Sequence, residues 1–209
     1  MAIVTTDNKH YTDIANVIRE KTASTDGIKP EEMSSEIEKV YDEGKDNGLE
    51  KFRSLVNRSI QEVTAEDLAG VKVISYYAFS YCQMSSVELP DTVTTLRTGC
   101  FSSCNSLTSV KLSNALKTVE GSVFKGCKKL TLLEVPASVQ TIGASALDIG
   151  TTSEKATIKM LGETPPSIQT TTFSITKLEK IIVPAGTGEV YKTATNWSAV
   201  ADVIEEEST

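Results

Sequence analysis

Apolar residues recur in this chain in fixed columns, at intervals of 22 or 23 residues, from about residue 71 onward. Successive copies of the pattern place aliphatic, aromatic and cysteine side chains at equivalent positions. The three clearest columns are Ile74, Leu96, Val119 and Ile142; Phe79, Phe101, Phe124 and Leu147; and Cys82, Cys104 and Cys127. Because no single copy could bury its apolar residues alone, the pattern predicts copies stacked into a solenoid.

Each copy contains two short stretches in which apolar and polar residues alternate, and such alternation predicts strands. In the first copy the strands are expected at 73–75 and 87–89, on either side of a helical or irregular corner at 76–82. A fourth copy has an insertion at 148–156, and a fifth copy is degenerate. The predicted fold class is mainly β, a parallel β-solenoid of about five rungs with the period of leucine-rich repeats.

The two ends of the chain differ from the repeats. Residues 1–56 carry apolar residues at helical spacing and a proline followed by two glutamates, which together predict an α-helical segment. Its apolar stripe at 31–56 is expected to dock on a partner or to form a homo-oligomer. The repeats are expected at 57–186, and the segment 187–209, with the single Trp197, is expected to cap them.

The cysteine column bears on chemistry as well as on packing. Cys82, Cys104 and Cys127 each lie three residues after the aromatic column, at a small apolar position of the stacked core. Zinc would require paired cysteines or added histidines, and the one histidine, His10, is distant in sequence. We therefore expect reduced, buried thiols that serve packing, with no metal and no other cofactor.

Charge and hydropathy narrow the range of partners. The net charge is -7 and the Lys and Arg residues are scattered singly, which argues against nucleic acid and against an anionic membrane face. No apolar run approaches about 18 residues, so no membrane insertion is expected. The start of the chain has no basic region followed by an apolar core. We expect synthesis in the cytoplasm without a signal peptide.

Two surface features are candidate binding regions. The outward positions of stacked strands would form a ladder of alternating charge, with about 4.8 Å between rungs. The members of this ladder are Glu88, Lys111, Glu134 and Lys159. The ladder serves either strand register and solubility or ligand binding. The insertion, with Asp148, Thr151 and Thr152, is the most distinctive loop, and loops on rigid scaffolds commonly carry specificity.

The repeat unit V-x-x-I-x-x-x-x-F-x-x-C-x-x-L-x-x-V-x-L-P resembles the BspA-like leucine-rich repeats of bacterial surface proteins and of phage and prophage proteins. The resemblance covers 57–183, and the segment 183–197 looks like the closing segment of that family. Stretches at 14–21, 28–33 and 41–48 are similar to leader segments of phage tail-associated proteins. The resemblance implies a parallel β-solenoid used for recognition, and it implies no catalytic residues.

These observations favour a non-enzymatic binding module. The main hypothesis is a phage or prophage tail-associated virion protein that contacts a host cell-surface protein or glycan, or other virion proteins. The alternative is a bacterial cell-surface adhesin or protein-interaction protein. A carbohydrate-active enzyme is least favoured, because the outward carboxylates of Glu88 and Glu134 stand two rungs apart with Lys111 between them. The virion is the expected final location, with the cell surface as the alternative.

Overall fold

The computed structural model describes residues 62–208, which form short strands, one α-helix and two 3₁₀ helices. The strands are β1 (Glu62–Val63), β2 (Val73–Ile74), β3 (Ser86–Glu88), β4 (Thr95–Leu96), β5 (Ser109–Lys111), β6 (Thr118–Val119), β7 (Leu132–Val135), β8 (Thr141–Ile142), β9 (Ala156–Met160), β10 (Ser167–Ile168), β11 (Leu178–Val183) and β12 (Ile204–Glu206). The helix α1 spans Gly188–Thr193, and the 3₁₀ helices span Ile175–Lys177 and Trp197–Val203. The strands are short because each repeat must turn twice within 22 or 23 residues.

The strands form three sheets, and all the pairings within them are parallel. The second sheet takes the first strand of each copy, in the order β10-β8-β6-β4-β2. The second strands of the copies build the first sheet, β1-β3-β5, and the third sheet, β12-β11-β9-β7. Ile74 lies opposite Leu96, and Val119 lies opposite Ile142. Equivalent positions of successive repeats are therefore stacked in register.

Backbone hydrogen bonds stack the corners between the strands as well. The Phe79 N–H donates to the Cys100 carbonyl at 2.8 Å, and the Phe101 N–H donates to the Val123 carbonyl at 3.1 Å. Two positions of the corner adopt left-handed backbone, where glycine and small polar residues are least strained. Their members are Tyr77, Gly99, Ser122 and Ser145, and Tyr81, Ser103 and Gly126. This ladder of backbone hydrogen bonds links the corner of one copy to the corner of the next, as strand pairing links the strands.

The core runs along the axis of the stack. The rings of Phe79 and Phe101 are stacked with centroids 5.4 Å apart, and those of Phe101 and Phe124 with centroids 5.6 Å apart. The planes are within 7° of each other, and all three rings are fully buried. Full burial of one such side chain is worth about 1.5–3 kcal/mol. Stacked rings in the first three corners therefore tie these copies to one another.

The C-terminal segment covers the last repeat with aromatic side chains. Trp197 is fully buried, and its indole N–H donates to the Pro166 carbonyl at 2.9 Å. Tyr191 meets Trp197 edge-on at 4.9 Å, and its hydroxyl donates to the Gly162 carbonyl. Burial raises the pKa of Tyr191 to about 12. The segment also extends the third sheet, because β12 pairs with β11, a contribution that the expected cap at 187–209 did not include.

The mainly β architecture with parallel sheets agrees with the prediction from the repeat pattern. The individual strands differ from it by one residue: β2, at Val73–Ile74, ends one residue early, and β3, at Ser86–Glu88, is shifted by one residue from the predicted 87–89. The first strand stops early because the Ser75 carbonyl accepts the Ala78 N–H and so begins the corner. The hydrogen bonds of the corner therefore set where the strand ends.

Several predictions from the sequence concern residues outside the described part. The helical segment at 1–56, its apolar stripe at 31–56 and the first residues of the repeats, 57–61, lie there. The proposed docking and oligomerisation roles of these residues stay predictions.

Candidate binding faces

The outward side of the first and third sheets, here called the strand face, carries the predicted charge ladder. Glu88 and Lys111 are register partners and form an ion pair. The hydrogen bond that the Lys111 ammonium donates to the Glu88 carboxylate raises the pKa of Lys111. Glu134 and Lys159 are also register partners, but the Lys159 ammonium pairs with Glu207, 2.7 Å away. Three of the four predicted side chains, those of Glu88, Lys111 and Lys159, are thus engaged in ion pairs.

The insertion forms a turn held by its own backbone. The Thr151 N–H donates to the Glu154 carbonyl, and the Thr151 hydroxyl accepts the Glu154 N–H, each at 2.9 Å. Asp148 is paired with Lys177 at 2.8 Å and its side chain is 16% exposed, whereas Thr152 is exposed. Among residues 62–208, no hydrogen bond or ion pair joins the insertion to the predicted ladder. The two predicted binding regions are therefore separate features.

A concave region lies on the second sheet, which neither predicted region includes. We call it the notch, and its cavity measures about 380 Å³. Its lining residues come from three adjacent strands, from the corners that follow them and from the corner after β4. They are Thr98, Thr118, Val119, Glu120, Gly121, Thr141, Ile142, Gly143, Ser167 and Gln169. No lysine or arginine is among them.

The notch exists because one outward column loses its side chain. The residues after β6, β8 and β10 are Glu120, Gly143 and Gln169, and the strand register places them in one row. A Cβ at Gly143 would lie 2.6 Å from the Gly121 nitrogen and 2.8 Å from the Glu120 carbonyl carbon. Gly143 therefore lets the backbones of neighbouring repeats approach closely and leaves a gap between two polar side chains.

Glu120 is held firmly at one end of the notch. One of its carboxylate oxygens accepts from the Arg97 guanidinium at 2.7 Å. The other accepts from the Thr98 N–H at 3.0 Å and from the Thr98 hydroxyl at 3.1 Å. A carboxylate with three donors is fixed in direction and still has acceptor capacity for a ligand.

Four other polar side chains of the notch have no hydrogen-bond partner within residues 62–208. Thr118, Thr141 and Ser167 stand opposite one another in the register of β6, β8 and β10. Within residues 62–208, none of their hydroxyls makes a hydrogen bond to protein, and neither does the side-chain amide of Gln169. Donors and acceptors that converge on a concavity without protein partners are available to a ligand or to water.

A cluster of exposed tyrosines lies beside the notch. Tyr76, Tyr77 and Tyr81 are 45%, 38% and 47% exposed, and the Arg97 guanidinium lies 5.5 Å from the centre of the Tyr76 ring. Tyr77 and Tyr81 have φ values of 54° and 61°, a conformation that costs a non-glycine residue about 1–2 kcal/mol. The Tyr77 ring lies against Gly99, where a Cβ would come within 2.3 Å of it. Through Arg97, Tyr76 continues the polar row towards an aromatic surface.

The cysteines lie where the sequence predicted a packing column. Cys82, Cys104 and Cys127 are free thiols with no exposed surface, as is Cys100. The Cys104 thiol donates to the Phe79 carbonyl at 3.0 Å. Burial raises the pKa of Cys82 and Cys100, and the hydrogen bond to Cys104 together with burial raises that of Cys127. Hydrogen bonds from Cys127 and Cys82 lower the pKa of Cys104 below theirs.

The described residues include neither a metal site nor a membrane-spanning helix. Among residues 62–208, no group of His, Cys, Asp and Glu side chains could hold a metal ion. The same residues include no helix with the length and apolar character needed to span a bilayer.

The sequence reasoning missed the notch because it followed the second strand of each copy and not the first. The signal was present in the column of residues that directly follow the first strand of each copy. This column contains Arg97, Glu120, Gly143 and Gln169, which share no residue type. A glycine between two polar residues in an outward column indicates a gap. The closeness of Gly143 to Gly121, however, becomes visible only in three dimensions.

Solved structures that align with the chain include two leucine-rich repeat proteins. A leucine-rich cell surface protein from Faecalibacterium prausnitzii A2-165 shows 24% identity and a TM-score of 0.39, over 67% of this chain and 31% of that protein. A leucine-rich repeat protein from Bacteroides ovatus ATCC 8483 shows 18% identity and a TM-score of 0.36, over 71% of this chain and 52% of that protein. The chain thus spans less than two thirds of either protein. No curated protein matches it.

The repeats themselves match a known family. A model of the BspA type leucine-rich repeat region matches residues 72–199 in six copies, where the sequence pattern predicted about five. None of the comparisons bears on the predicted likeness of the first 56 residues to phage tail-associated proteins. Because the matched region covers more than half of the 209 residues, the chain belongs to the BspA-type leucine-rich repeat family.

Proposed function

We propose that this chain is a non-enzymatic binding module that recognises a protein or glycan at a cell surface, and that the notch is its binding site. The observation that carries the proposal is the set of unpartnered polar groups that converge on the notch. Thr118, Thr141, Ser167 and Gln169 are positioned by backbone ladders on both sides, so they are held in place before any ligand arrives. Such preorganisation lowers the entropy cost of binding.

The family supports a role at a bacterial surface. BspA-like repeats resemble those of bacterial surface proteins, and this makes an adhesin or protein-interaction protein the better reading of the chain. The tail-associated virion role has no separate observation in its favour. Its prediction depends on the first 56 residues, which lie outside the described part.

The composition of the notch favours binding over catalysis. Glycoside hydrolysis generally uses two carboxylates on either side of the scissile bond, and Glu120 is the one acidic residue among the lining residues. Its carboxylate is already engaged by Arg97 and Thr98. The arrangement can orient a hydroxyl or amide group, but it includes no second acid or base.

The proposal is tested by filling the notch. Fluorescently labelled full-length protein is incubated with a panel of gut bacterial and epithelial cells, and bound protein is measured by flow cytometry. Thr141 is exposed and makes no side-chain hydrogen bond within the described residues, so Thr141→Arg should fold normally and block the notch. We expect it to reduce cell binding by at least about tenfold, a loss of roughly 1.4 kcal/mol.

The matched control is Ser109→Arg, which adds the same side chain to an exposed serine of the strand face. We expect this variant to bind as the unmodified protein does. If Ser109→Arg abolishes binding and Thr141→Arg does not, the strand face is the binding site and the notch is excluded. If neither variant has an effect, the notch is excluded, and so is the part of the strand face around Ser109.

A further inference from the structure

Resting on the proposed function, we infer that the notch binds an uncharged carbohydrate chain that lies across the repeats. The inference depends on the chemistry of the lining, on its charge and on its spacing.

The lining matches sugar hydroxyls in hydrogen-bonding type. Each hydroxyl of Thr118, Thr141 and Ser167 can donate one hydrogen bond and accept others, and the amide of Gln169 can both donate and accept. A sugar hydroxyl has the same dual capacity. An apolar ligand would leave these groups without partners, at a cost to binding. The lining therefore disfavours apolar ligands and favours a polyhydroxylated one.

The charge of the lining points to an uncharged ligand. No cationic side chain lines the notch, so a phosphate, sulfate or uronate group would meet no compensating charge there. A cationic ligand would have to compete with Arg97, which already holds the Glu120 carboxylate at 2.7 Å. Glu120 can instead accept hydrogen bonds from neutral hydroxyls, as a charge-assisted acceptor.

The spacing of the lining suits a chain molecule. Thr118, Thr141 and Ser167 recur on adjacent strands, roughly 4.8 Å apart, so equivalent hydroxyls repeat along the stack. A polymer of similar units can place equivalent groups against each of them. The cavity of about 380 Å³ lies near the small end of the range for ligand sites. A short segment of an oligosaccharide therefore fits the notch better than a folded protein surface does.

The aromatic neighbour of the notch supports the same class of ligand. Tyr76 contacts Arg97, and Arg97 contacts Glu120, so an exposed ring follows the polar row without a break. The apolar C–H faces of sugar rings pack on aromatic rings, while the Tyr76 hydroxyl, which accepts from Arg97, can still donate a hydrogen bond. A chain that leaves the notch on this side would therefore meet a second favourable surface.

The ligand class is tested on cells and on purified polymers. Cells that bind the protein are treated either with periodate, which cleaves vicinal diols of sugars, or with protease. In parallel, affinity electrophoresis measures retardation of the full-length protein by a mannan, a β-glucan and a galactan, with polygalacturonate as the acidic control. We expect periodate and not protease to abolish cell binding, and at least one neutral polymer but not polygalacturonate to retard the protein.

Two variants tie the result to the notch. Thr141→Arg and Gln169→Ala should each weaken retardation by the neutral polymer at least about tenfold, while Ser109→Arg should not change it. Equal thermal melting of the three variants and the unmodified protein establishes that folding is not the cause. Glu120→Gln, which keeps the shape of the side chain but removes its charge, should also weaken retardation.

The inference and the proposed function fail in different ways. In one outcome, Thr141→Arg abolishes cell binding, and protease removes it whereas periodate does not. The notch then remains the binding site, but its ligand is a protein segment and not a carbohydrate. Retardation by polygalacturonate alone overturns the uncharged class. Absence of periodate-sensitive binding and of retardation by all three neutral polymers overturns the inference entirely. Polymer binding that Thr141→Arg leaves unchanged overturns the notch as its site.

Discussion

The strand face and the notch are built from the same repeats, yet their polar groups are used differently. On the strand face, Lys111 is paired with Glu88, and Lys159 is paired with Glu207. In the notch, the hydroxyl of Thr141 and the side-chain amide of Gln169 make no hydrogen bond within residues 62–208. Regularity on a surface is therefore a poor guide to function, because a regular ladder can satisfy itself. At the notch, where one repeat has a glycine in the outward column, polar side chains remain available to a ligand.

The largest expected effect tests whether one core supports both faces. All four thiols are buried between the sheets. If the stack unfolds as a unit, a thiol reagent should label them more than about a thousandfold faster in denaturant than in native buffer. Mass spectrometry of samples taken across a urea titration should show the four cysteines becoming reactive in one transition. Early labelling of Cys82 alone would instead show that the two ends of the stack open independently.

The second prediction concerns the glycine that makes the notch. Gly143→Ala places a Cβ 2.6 Å from the Gly121 nitrogen, and backbone cannot yield as a flexible side chain can. We expect the free energy of unfolding to fall by about 1–3 kcal/mol, as measured by urea denaturation. The matched change on the strand face is Glu134→Ala, an exposed position, where the expected effect is below about 0.5 kcal/mol. Equal effects would mean that the close approach at Gly143 is absent in solution.

The third prediction compares two glutamates. Glu120→Ala removes an acceptor used by Arg97 and by both Thr98 donors, so we expect a loss of about 1–2 kcal/mol in the free energy of unfolding. Glu88→Ala removes an exposed partner of Lys111, and it should leave the urea midpoint unchanged, because surface ion pairs are screened by water and salt. A larger effect at Glu88 than at Glu120 would reverse the comparison.

The smallest expected effect is a pH dependence at the end of the third sheet. Hydrogen bonds from the N–H groups of Gly186 and Gly188 lower the pKa of Glu206 below its ordinary value of 4.5. A lowered folded-state pKa means that this stabilisation is complete above pH 4.5 and is lost as the pH falls through the folded value. Fluorescence of Trp197 should therefore change below pH 4.5, and the change should be smaller in Glu206→Gln.

The repeat pattern was sufficient to predict the parallel sheets and the stacked columns, because burial alone decides which residues face inward. Phe79, Phe101 and Phe124 had to coincide once the period was known. Outward residues are not constrained in this way. Nothing in the sequence could show that Lys159 turns to Glu207, 48 residues away, since the segment containing Glu207 was expected to cap the stack and not to add a strand to it.

The notch was hidden for a related reason. Its lining combines residues from four repeats, the residues that follow the first strands have no shared type, and its depth depends on the distance between two backbones. The left-handed tyrosines were also unexpected, because Tyr77 and Tyr81 occupy corner positions where other copies have glycine or serine. When the copies are only aligned in columns, such departures look like degeneracy of the repeat. In the structure, they are the positions where the surface differs from one repeat to the next.

Strand β12 has a consequence for association between copies of the protein. A parallel stack exposes unpaired backbone groups at its terminal strand, and another chain could add to them. Here the terminal strand is only three residues long, and its Glu205 is anchored to Lys180 while Glu206 is anchored to backbone N–H groups. A short edge that carries acidic side chains disfavours end-to-end growth into fibres. Pairing of β12 with another copy of the protein is therefore disfavoured.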